Sequence, residues 1–499
     1  MKYIIHTALI GLFAIGCSTT AGFAQNKSAM NETMYQIGLF GSAATGDNTP
    51  FWITSNQYGK VPLNSNNTFL ETALFHQQSF KNGISWNAGL DVIYIAPRYR
   101  NVYIHQLYAG IKFKCLQLTV GSKEETSAFE LDNNLSSGDV ILSNNARPIP
   151  GVRLSIPEFT VVPATKGWLQ VKGNFSVGRS FDNAYLQDFI NTEQTYVKDI
   201  LWHYKSIHFR IKDTKNDAPL FGVIGLKHIA QWGGTSTNPK IGKQPSSFKD
   251  FIRVVCGRSG GEQATASDQI NVLGSHHISY DLRLGYTLND WQVEAYHQHL
   301  CYDKSGLELY NGMDGLWGIQ LSFPKKIQWI NRLVVEHFST MNSSGPFHYI
   351  WFDHDKYPGR GGGGDNYYNN DEYISGNSYF NKSTGSPLIP SPEYNEDHKL
   401  GFKDNRIRTW HIGLDGAFNS QISYRFLATV MQGWGTAYEP FLKKKKGASL
   451  LIDINYTHPK LEGWQFKGSI SSDTGTILGK ESVGFAVSVS KTGLLKRWQ

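Results

Sequence analysis

The run ISYDLRLGYTL, from Ile278 to Leu288, decides the fold. Apolar and polar side chains alternate along it. Leu282 and Leu284 therefore share one face of a strand, and Asp281 and Arg283 share the other, because successive strand residues point to opposite sides. A run of about 9 to 11 residues is longer than most globular strands, and it matches the length that a tilted strand needs to cross a bilayer. The run therefore predicts a membrane-crossing strand with one apolar and one polar face.

The same period of two recurs along the chain, in Ile84 to Val92, Tyr103 to Phe113, Leu169 to Val177, Ile422 to Val430, Leu450 to Tyr456, Trp464 to Ile470 and Val483 to Val489. The polar faces carry charges, namely Asp91, Lys112, Lys172, Asp281, Arg283, Arg425, Asp453 and Lys467. Tryptophans begin several runs, as in the aromatic girdles of membrane barrels. Because an open sheet edge in lipid would leave backbone groups unpaired, the strands must close into a barrel.

We therefore predict an all-β fold, a large antiparallel transmembrane β-barrel in the outer membrane of a Gram-negative cell. Roughly 16 to 20 candidate strands are present, and single-chain bacterial barrels take even numbers. The alternative is a soluble or periplasmic β protein, which would have shorter strands.

Composition agrees with many strands joined by turns. The chain has 499 residues, 13% aromatic residues and 50 glycines, and a mean hydropathy of −0.35. The formal charge of +7 is small for this length. The sequence shows no focused basic face of the kind that binds nucleic acid. The only basic run, Lys443 to Lys446, is interpreted as a solvated turn between two strands.

Residues 1–24 have the pattern of a secretory signal peptide. Lys2 precedes a mostly apolar stretch, and Gly22-Phe23-Ala24 offers a cleavage site. Lipidation at Cys17 is the alternative. Residues 25–499 then form the barrel.

Three regions break the strand pattern. Apolar residues at helical spacing predict a small helical insertion near residues 182–205. Long extracellular loops are predicted near 231–275 and 340–405. The second contains YIWFDHDKYPGRGGGGDNYYNNDEYISGNSYFNKSTGSPLIPSPEYNEDHKLGFKDN, from Tyr349 to Asn405. Loops of this length tend to be functional or disordered, and disordered segments are poor in aromatics. We therefore interpret it as a structured loop with a binding role.

The chemistry of this loop suits a sugar ligand. Aromatic rings stack on the apolar C–H faces of sugars and add a polar handle, Asp365 can bind hydroxyls, and Arg360 can hold a carboxylate or phosphate. The predicted glycan-binding residues are Trp351, Arg360, Asp365, Tyr367, Tyr368, Tyr373 and Tyr379. The alternative is that the tyrosines pack the loop against the lumen wall.

Catalysis and metal binding find little support. Asp353-His354-Asp355 offers oxygen ligands at alternating positions, but the rest of a calcium-loop pattern is missing. No Gly-x-Ser-x-Gly elbow or His-Glu-x-x-His motif is present. We predict no enzyme activity and no cofactor.

Several segments resemble the capsule assembly Wzi family in the form found in Bacteroides-type bacteria. They are Leu135 to Phe159, Thr165 to Gly173, Gly361 to Asn370, Ser375 to Tyr379, Gly385 to Asn395, Asn405 to Gly416 and Tyr424 to Pro440. The resemblance covers nearly the whole mature chain and contains no catalytic signature. It implies an outer-membrane barrel of 18 strands with a helical portion at the periplasmic side. It also implies a lectin-like role in holding capsular polysaccharide at the cell surface, and it supplies no ligand residues.

Two functions therefore remain open at this point. One is a lectin-like protein that anchors or assembles capsular polysaccharide. Its partners would be surface polysaccharide, outer-membrane lipids and the capsule export machinery. The other is a porin-like channel for sugars or oligosaccharides. A lumen filled by a loop favours the first, and a clear pore favours the second.

Overall fold

The computed structural model describes residues 31–96, 101–190, 193–302, 304–325, 327, 329–343, 345 and 365–497. Eighteen antiparallel strands form one sheet. Each strand pairs with the next along the chain, and the last pairs with the first, where Gly41 lies opposite Val487. The sheet is therefore closed, and the predicted barrel of 18 strands is confirmed.

The strands, in chain order, are β1 Glu32–Asn48, β2 Asn64–Ser79, β3 Ile84–Ala96, β4 Val102–Phe113, β5 Leu116–Ser122, β6 Gly151–Val161, β7 Leu169–Arg179, β8 Leu201–Ile211, β9 Leu220–Trp232, β10 Ser275–Leu288, β11 Trp291–Cys301, β12 Gly315–Ser322, β13 Arg332–Ser339, β14 Ile407–Ala417, β15 Ile422–Gly435, β16 Pro440–Tyr456, β17 Trp464–Gly475 and β18 Ser482–Arg497. The short helices are α1 Phe51–Thr54, α2 Asn183–Phe189, α3 Phe248–Val255, α4 Ala266–Ile270 and α5 Lys304–Leu307. No helix among the described residues is long and apolar enough to cross a membrane.

The outer face of the barrel is apolar and the inner face is polar. On β10, Leu282 and Leu284 are 50% and 58% exposed on the outside, whereas Asp281 is fully buried inside. The strands on either side keep the same alternation, since Ile224 of β9 lies opposite Leu282 and is also half exposed. A continuous apolar exterior of this kind is stable only against lipid.

The two ends of the barrel differ in the length of their connections. At the end where β1 begins and β18 ends, the strands are joined by short turns, such as 114–115 between β4 and β5 and 289–290 between β10 and β11. The opposite end carries long loops, including 123–150, 233–274 and 340–406. Outer-membrane barrels have short periplasmic turns and long extracellular loops, so the loop end faces outside the cell. Trp168, Trp291 and Trp464 mark the periplasmic rim and are exposed on it.

The helical elements differ from the expectation. Among the described residues of the insertion near 182–205, the one helix is the seven-residue α2, and a two-residue strand, Val197–Lys198, precedes β8 at Leu201. The helices α1 to α5 follow β1, β7, β9 and β11, so they lie at the loop end. The expectation of a helical portion on the periplasmic side is therefore wrong for the described residues. The connections between the described strands at that end are too short to hold one.

Two local expectations also need correction. Lys443 to Lys446 belong to β16 rather than to a turn. Strict alternation along β4 predicts His105 on the apolar face. Instead, a β-bulge at His105 shifts the pairing of β4 with β3, so that Gln106 lies opposite Asp91 and Ile104 lies opposite Val92. His105 and Gln106 consequently both point into the lumen and are both buried. A bulge of this kind places two successive residues opposite one partner residue.

The membrane-facing assignment can be tested on β10. Replacing Leu284 with Arg would place a cation in hydrocarbon, and we expect it to destabilise the barrel by about 2–4 kcal/mol. Urea unfolding in lipid vesicles measures this change. The control is Thr287→Arg on the lumen face of the same strand, which we expect to have little effect. Equal stability of the two variants would contradict the assignment.

Candidate functional site

The lumen is filled by three segments that enter from the extracellular end. We call residues 49–63, 123–150 and 365–405 together the plug. Its side chains supply many of the most deeply buried groups of the protein, including Trp52, Leu135 and Tyr368. They form one hydrophobic cluster with wall residues such as Val334 and Phe338. The barrel therefore has a core inside its lumen, and the described residues leave little open cross-section.

Local sequence explains how residues 123–150 fold. The Asp139 carboxylate accepts hydrogen bonds from the backbone N–H groups of Ile141 and Leu142, at 2.8 and 3.2 Å, which closes a tight turn. Gly138 has a φ of +117°, and a Cβ at this position would lie 2.9 Å from Pro387. Only glycine fits both the backbone conformation and this close approach between two plug segments.

The turn is tied to the barrel wall by a buried ion cluster. The Lys227 ammonium of β9 lies 2.6 Å from the Asp139 carboxylate and 3.3 Å from that of Asp281. His208 of β8 lies 2.8 Å from Asp281, and the Ser127 hydroxyl donates to Asp139. Burial alone would raise the pKa of Asp139, but the neighbouring Lys227 ammonium and the hydrogen bonds hold it below its usual value. The plug is therefore anchored as a carboxylate paired with a wall cation.

A second anchor is centred on Glu336 of β13. Its carboxylate accepts from the hydroxyls of Ser136 and Ser137, at 2.7 and 2.5 Å, from the Ser137 N–H at 2.7 Å, and from the Tyr296 hydroxyl at 2.5 Å. His411 of β14 contacts the Leu135 carbonyl at 2.7 Å. Four donors on one buried carboxylate satisfy it fully, which fixes the plug to β13, four strands along the sheet from Lys227.

A third cluster surrounds Lys60. Its ammonium lies 2.7 Å from Glu71, 2.8 Å from Glu124 and 3.8 Å from Asp91. Burial opposes ionisation of Glu124, but the hydrogen bond from His105 and the Lys60 charge lower its pKa to about 2. The ligand atoms of Asp91, His105 and Glu124 lie within 4.8 Å of one another, as in a metal site. Because the Lys60 ammonium already supplies the positive charge between them, we assign an ion-pair cluster that joins two plug segments to the wall.

The four predicted glycan-binding tyrosines are part of this packing. Tyr367, Tyr368, Tyr373 and Tyr379 are between 0 and 3% exposed. Burial raises the pKa of each phenol, so each remains a neutral donor. The Tyr368 hydroxyl donates to the Val140 carbonyl at 2.6 Å, and the Tyr373 hydroxyl donates to the Gly233 carbonyl at 3.2 Å. These four tyrosines therefore pack inside the lumen, which was the alternative to sugar binding in the sequence analysis. They offer no free ring face to a sugar.

The remaining predicted residues are placed as follows. Asp365 is buried, and its carbonyl accepts from the Ser343 hydroxyl at 3.0 Å. Trp351 and Arg360 lie outside the described residues, as do Asp353, His354, Asp355 and the signal segment.

Sequence reasoning missed Asp139, Lys227, Glu336 and Lys60. A signal was present for two of them, because Lys227 and Glu336 interrupt apolar strands at lumen-facing positions.

A chamber of about 260 Å³ lies on the periplasmic side of the plug. The wall contributes Arg425, Asp453 and Lys467, and the plug contributes Trp52 and Lys60 as its roof. Asp453 pairs with Arg425 and Lys467, the latter at 3.0 Å. The chamber is polar but its charges are largely satisfied, and it ends against the plug.

A closed 18-stranded barrel with an apolar exterior and a loop-filled lumen defines an outer-membrane β-barrel protein of the plugged class. A comparison with family models matches residues 24–389 to the capsule assembly protein Wzi. The chain belongs to that family, which confirms the resemblance seen in the sequence.

One of the similar solved structures agrees on the fold. Wzi from Escherichia coli, described as a carbohydrate-binding β-barrel of the outer membrane involved in group 1 capsule assembly, superposes with a TM-score of 0.55 at 12% identity, over 98% of this chain and 88% of that one. OccK5 from Pseudomonas aeruginosa gives a TM-score of 0.46 at 8% identity, over 94% and 99%. A BenF-like porin from Pseudomonas fluorescens gives 0.47 at 8% identity, over 93% and 98%. A search among curated proteins found no match.

The anchoring role of the ion cluster is testable. Replacing Lys227 with Met leaves the Asp139 and Asp281 carboxylates buried without a cation, which we expect to destabilise the attachment of the plug by about 3–5 kcal/mol. Hydrogen exchange of residues 127–142 should accelerate correspondingly.

The matched control is Lys480→Met. Its ion pair with Asp47 is 2.7 Å long, but the two side chains are 73% and 72% exposed. Exposed pairs contribute about 1 kcal/mol or less. If both variants exchange at the wild-type rate, Lys227 does not hold the plug.

Proposed function

We propose that this protein binds surface polysaccharide at the outer face of the membrane and retains or assembles it there as capsule, as a binding protein and not as an enzyme. Membership of the capsule assembly family supports the process. The carbohydrate binding described for the E. coli relative supports the type of ligand.

One observation carries the choice between binding and transport, namely that the lumen is occupied by extracellular loops tied to several strands of the wall. Lys227 and Glu336 are both buried and both hold residues of the 123–150 segment. A porin needs a continuous aqueous path lined by free polar groups, as in water-filled barrels. Here the polar groups of the lumen are used to hold the plug, so a passive sugar channel is disfavoured.

The extracellular surface of the loops is the proposed binding face. It carries exposed aromatic rings at Phe181, Phe248 and Tyr310, which are 63%, 78% and 56% exposed. These rings can stack on sugar faces in the way first attributed to the buried tyrosines. Each contact would be weak, but a polysaccharide of repeated units engages several molecules or sites at once, and retention then depends on multivalency.

Trp351 and Arg360 stay predictions from their chemistry, as a stacking residue and an anion-binding residue. Contacts with outer-membrane lipids and with the capsule export machinery belong to the same proposal. The periplasmic turns are the surface available to an export partner.

Conductance in planar bilayers tests the closed lumen. We expect the purified full-length chain to show no steady single-channel current, because the plug blocks the path. Replacing 123–150 and 340–406 with short Gly/Ser linkers should open the barrel and produce stable ohmic currents. Short linkers can join both pairs of strand ends, because these ends are neighbours in the sheet. Gly121 lies opposite Gly151, and Ser339 lies opposite Arg408.

The control replaces 238–243, a segment outside the lumen, with the same number of Gly and Ser residues and should stay silent. Large steady currents from the unaltered protein would favour the porin alternative.

Capsule retention tests the ligand. In a deletion strain complemented with Phe181→Ala/Phe248→Ala/Tyr310→Ala, we expect several-fold more polysaccharide in the medium than with wild type. Loss of one stacking ring weakens each sugar contact by about 1 kcal/mol. Because the polymer makes many such contacts at once, these losses combine. Trp351→Ala and Arg360→Ala are tested in the same assay.

Exposed apolar residues on the lipid face provide the control, for example Leu284→Ala. Unchanged retention in the triple variant, with normal surface expression, would remove the proposed binding face.

A further inference from the structure

A row of basic side chains lies on the outside of the barrel near its extracellular rim. Arg408 of β14 is the cross-strand partner of Gln432 of β15, and Gln432 is the partner of Lys446 of β16. These positions have the same parity as Trp410, Val430 and Leu450, which are exposed on the lipid-facing side. The row therefore points away from the lumen and is separate from the plug.

Trp434 brings Arg408 of this row together with a further lysine of β16, Lys444. The Trp434 indole lies two positions beyond Gln432 on β15, where a bulge interrupts the pairing with β16. The Arg408 guanidinium is 5.9 Å from the Trp434 ring centre, and the Lys444 ammonium is 5.7 Å from it. Lys444 also donates to the Gln432 side chain at 3.3 Å. Two cations are thus held on one ring, at distances where cation–π attraction operates.

The depth of the row follows from the strand register. Directly below it, Trp410 and Val430 belong to the apolar belt, and Leu450 of β16 follows one layer further down. Pairing of β16 with β17 begins only at Gly447 opposite Gly475, so β15 and β16 project above their neighbour as a hairpin. Two residues along a strand correspond to roughly 6.6 Å. The basic groups therefore lie just above the hydrocarbon, at the level of the lipid headgroups of the outer leaflet.

These cations are free of acidic partners in the described part of the chain. The salt bridges found there include none to Arg408, Lys444 or Lys446. Lys445, by contrast, has lumen-facing parity, and its charge acts on Asp404. Three unneutralised cations on one patch of the outer wall would repel one another unless an anion lies among them.

We propose that Arg408, Lys444 and Lys446, arranged around Trp434, bind the phosphate groups of an outer-leaflet glycolipid that carries two phosphates. Guanidinium and ammonium groups are the usual partners of phosphate, and the guanidinium binds it in a bidentate manner. Arg408 and Lys446 are two strands apart, or roughly 9.6 Å. That separation suits two phosphates on one headgroup better than a single phosphate. The aromatic ring between them would contact the sugar to which the phosphates are attached.

This site would fix the rotation and depth of the barrel in the outer leaflet. It lies on the outer wall beneath the extracellular loops, so it depends on the orientation of the barrel and not on polysaccharide binding.

Native mass spectrometry of the delipidated full-length protein in mild detergent tests the proposal. The probes are a diphosphorylated lipid A-type glycolipid, its monophosphorylated form and its dephosphorylated form. We expect affinity to fall in that order. The variant Arg408→Gln/Lys444→Gln/Lys446→Gln should lose on the order of 100-fold in affinity for the diphosphorylated lipid, since each basic residue near an anionic lipid surface contributes about fivefold.

The matched control is Lys240→Gln/Lys249→Gln/Lys460→Gln, which removes the same charge from exposed positions elsewhere and should bind within about twofold of wild type. Lys444→Arg/Lys446→Arg keeps the charge, should retain binding, and covers the case in which the triple variant fails to fold. Equal binding of the dephosphorylated lipid, or wild-type binding by the triple variant, would overturn the proposal. So would displacement of the lipid by soluble anionic polysaccharide, which would assign the row to the capsule.

Discussion

Backbone hydrogen bonding in lipid is the constraint from which the rest of this structure follows. Every N–H and C=O group at membrane depth must find a partner within the protein, and the pairing of β18 with β1 achieves this by closing the sheet. Closure of 18 strands produces a lumen too wide for the wall side chains alone to fill. The protein must then leave the lumen to water or fill it with additional chain. In this structure the long connections on one side of the barrel fold inward and fill it.

Filling a polar lumen requires that its charges be neutralised. The inward faces of the strands carry Lys227, Asp281 and Glu336, and each would be costly if buried alone. The plug supplies the complementary groups: Asp139 for the lysine, and the hydroxyls and backbone of Ser136 and Ser137 for Glu336. A buried ion pair adds little net stability over an apolar equivalent, but loss of one partner is strongly unfavourable. These contacts therefore specify one position for the plug, and an alternative position would leave buried charges unpaired.

The fold was predictable from sequence to a greater extent than the site. The period of two in Ile278 to Leu288 depends only on which face meets lipid, and this is a local property of each strand. The bulge at His105 was not predictable, because the residue is compatible with either face and the register is set by the neighbouring strand. The lysine run in β16 was misassigned for a similar reason: strands here extend beyond the bilayer, and the polar extension resembles a turn.

The tyrosines of the long loop show a different limit. The sequence does not distinguish a tyrosine that stacks on a sugar from a tyrosine that packs in a core and donates to a carbonyl. What distinguishes them is the partner, and for Tyr368 the partner is Val140, 228 residues away in the chain. Loop length and aromatic content correctly indicated an ordered segment for residues 365–405, the part of this loop that the structure describes. They could not indicate whether the rings faced outward, because that depends on the width of a lumen formed by all the strands together.

The plug also restricts how a polysaccharide can meet this protein. The chamber below the plug and the loop surface above it are separated by buried side chains such as Trp52 and Leu135. A polysaccharide chain is too thick to pass between them without displacing the anchors at Lys227 and Glu336. On the proposed function, the polymer must therefore reach the binding face from outside, after another protein has carried it across the membrane. The barrel then acts as a fixed support whose wall contacts lipid, whose interior holds the loops rigid, and whose outer loops contact the capsule. Rigid loops lose less conformational entropy on binding than mobile ones, so a filled lumen favours the retention of a weakly bound polymer as well as preventing its passage.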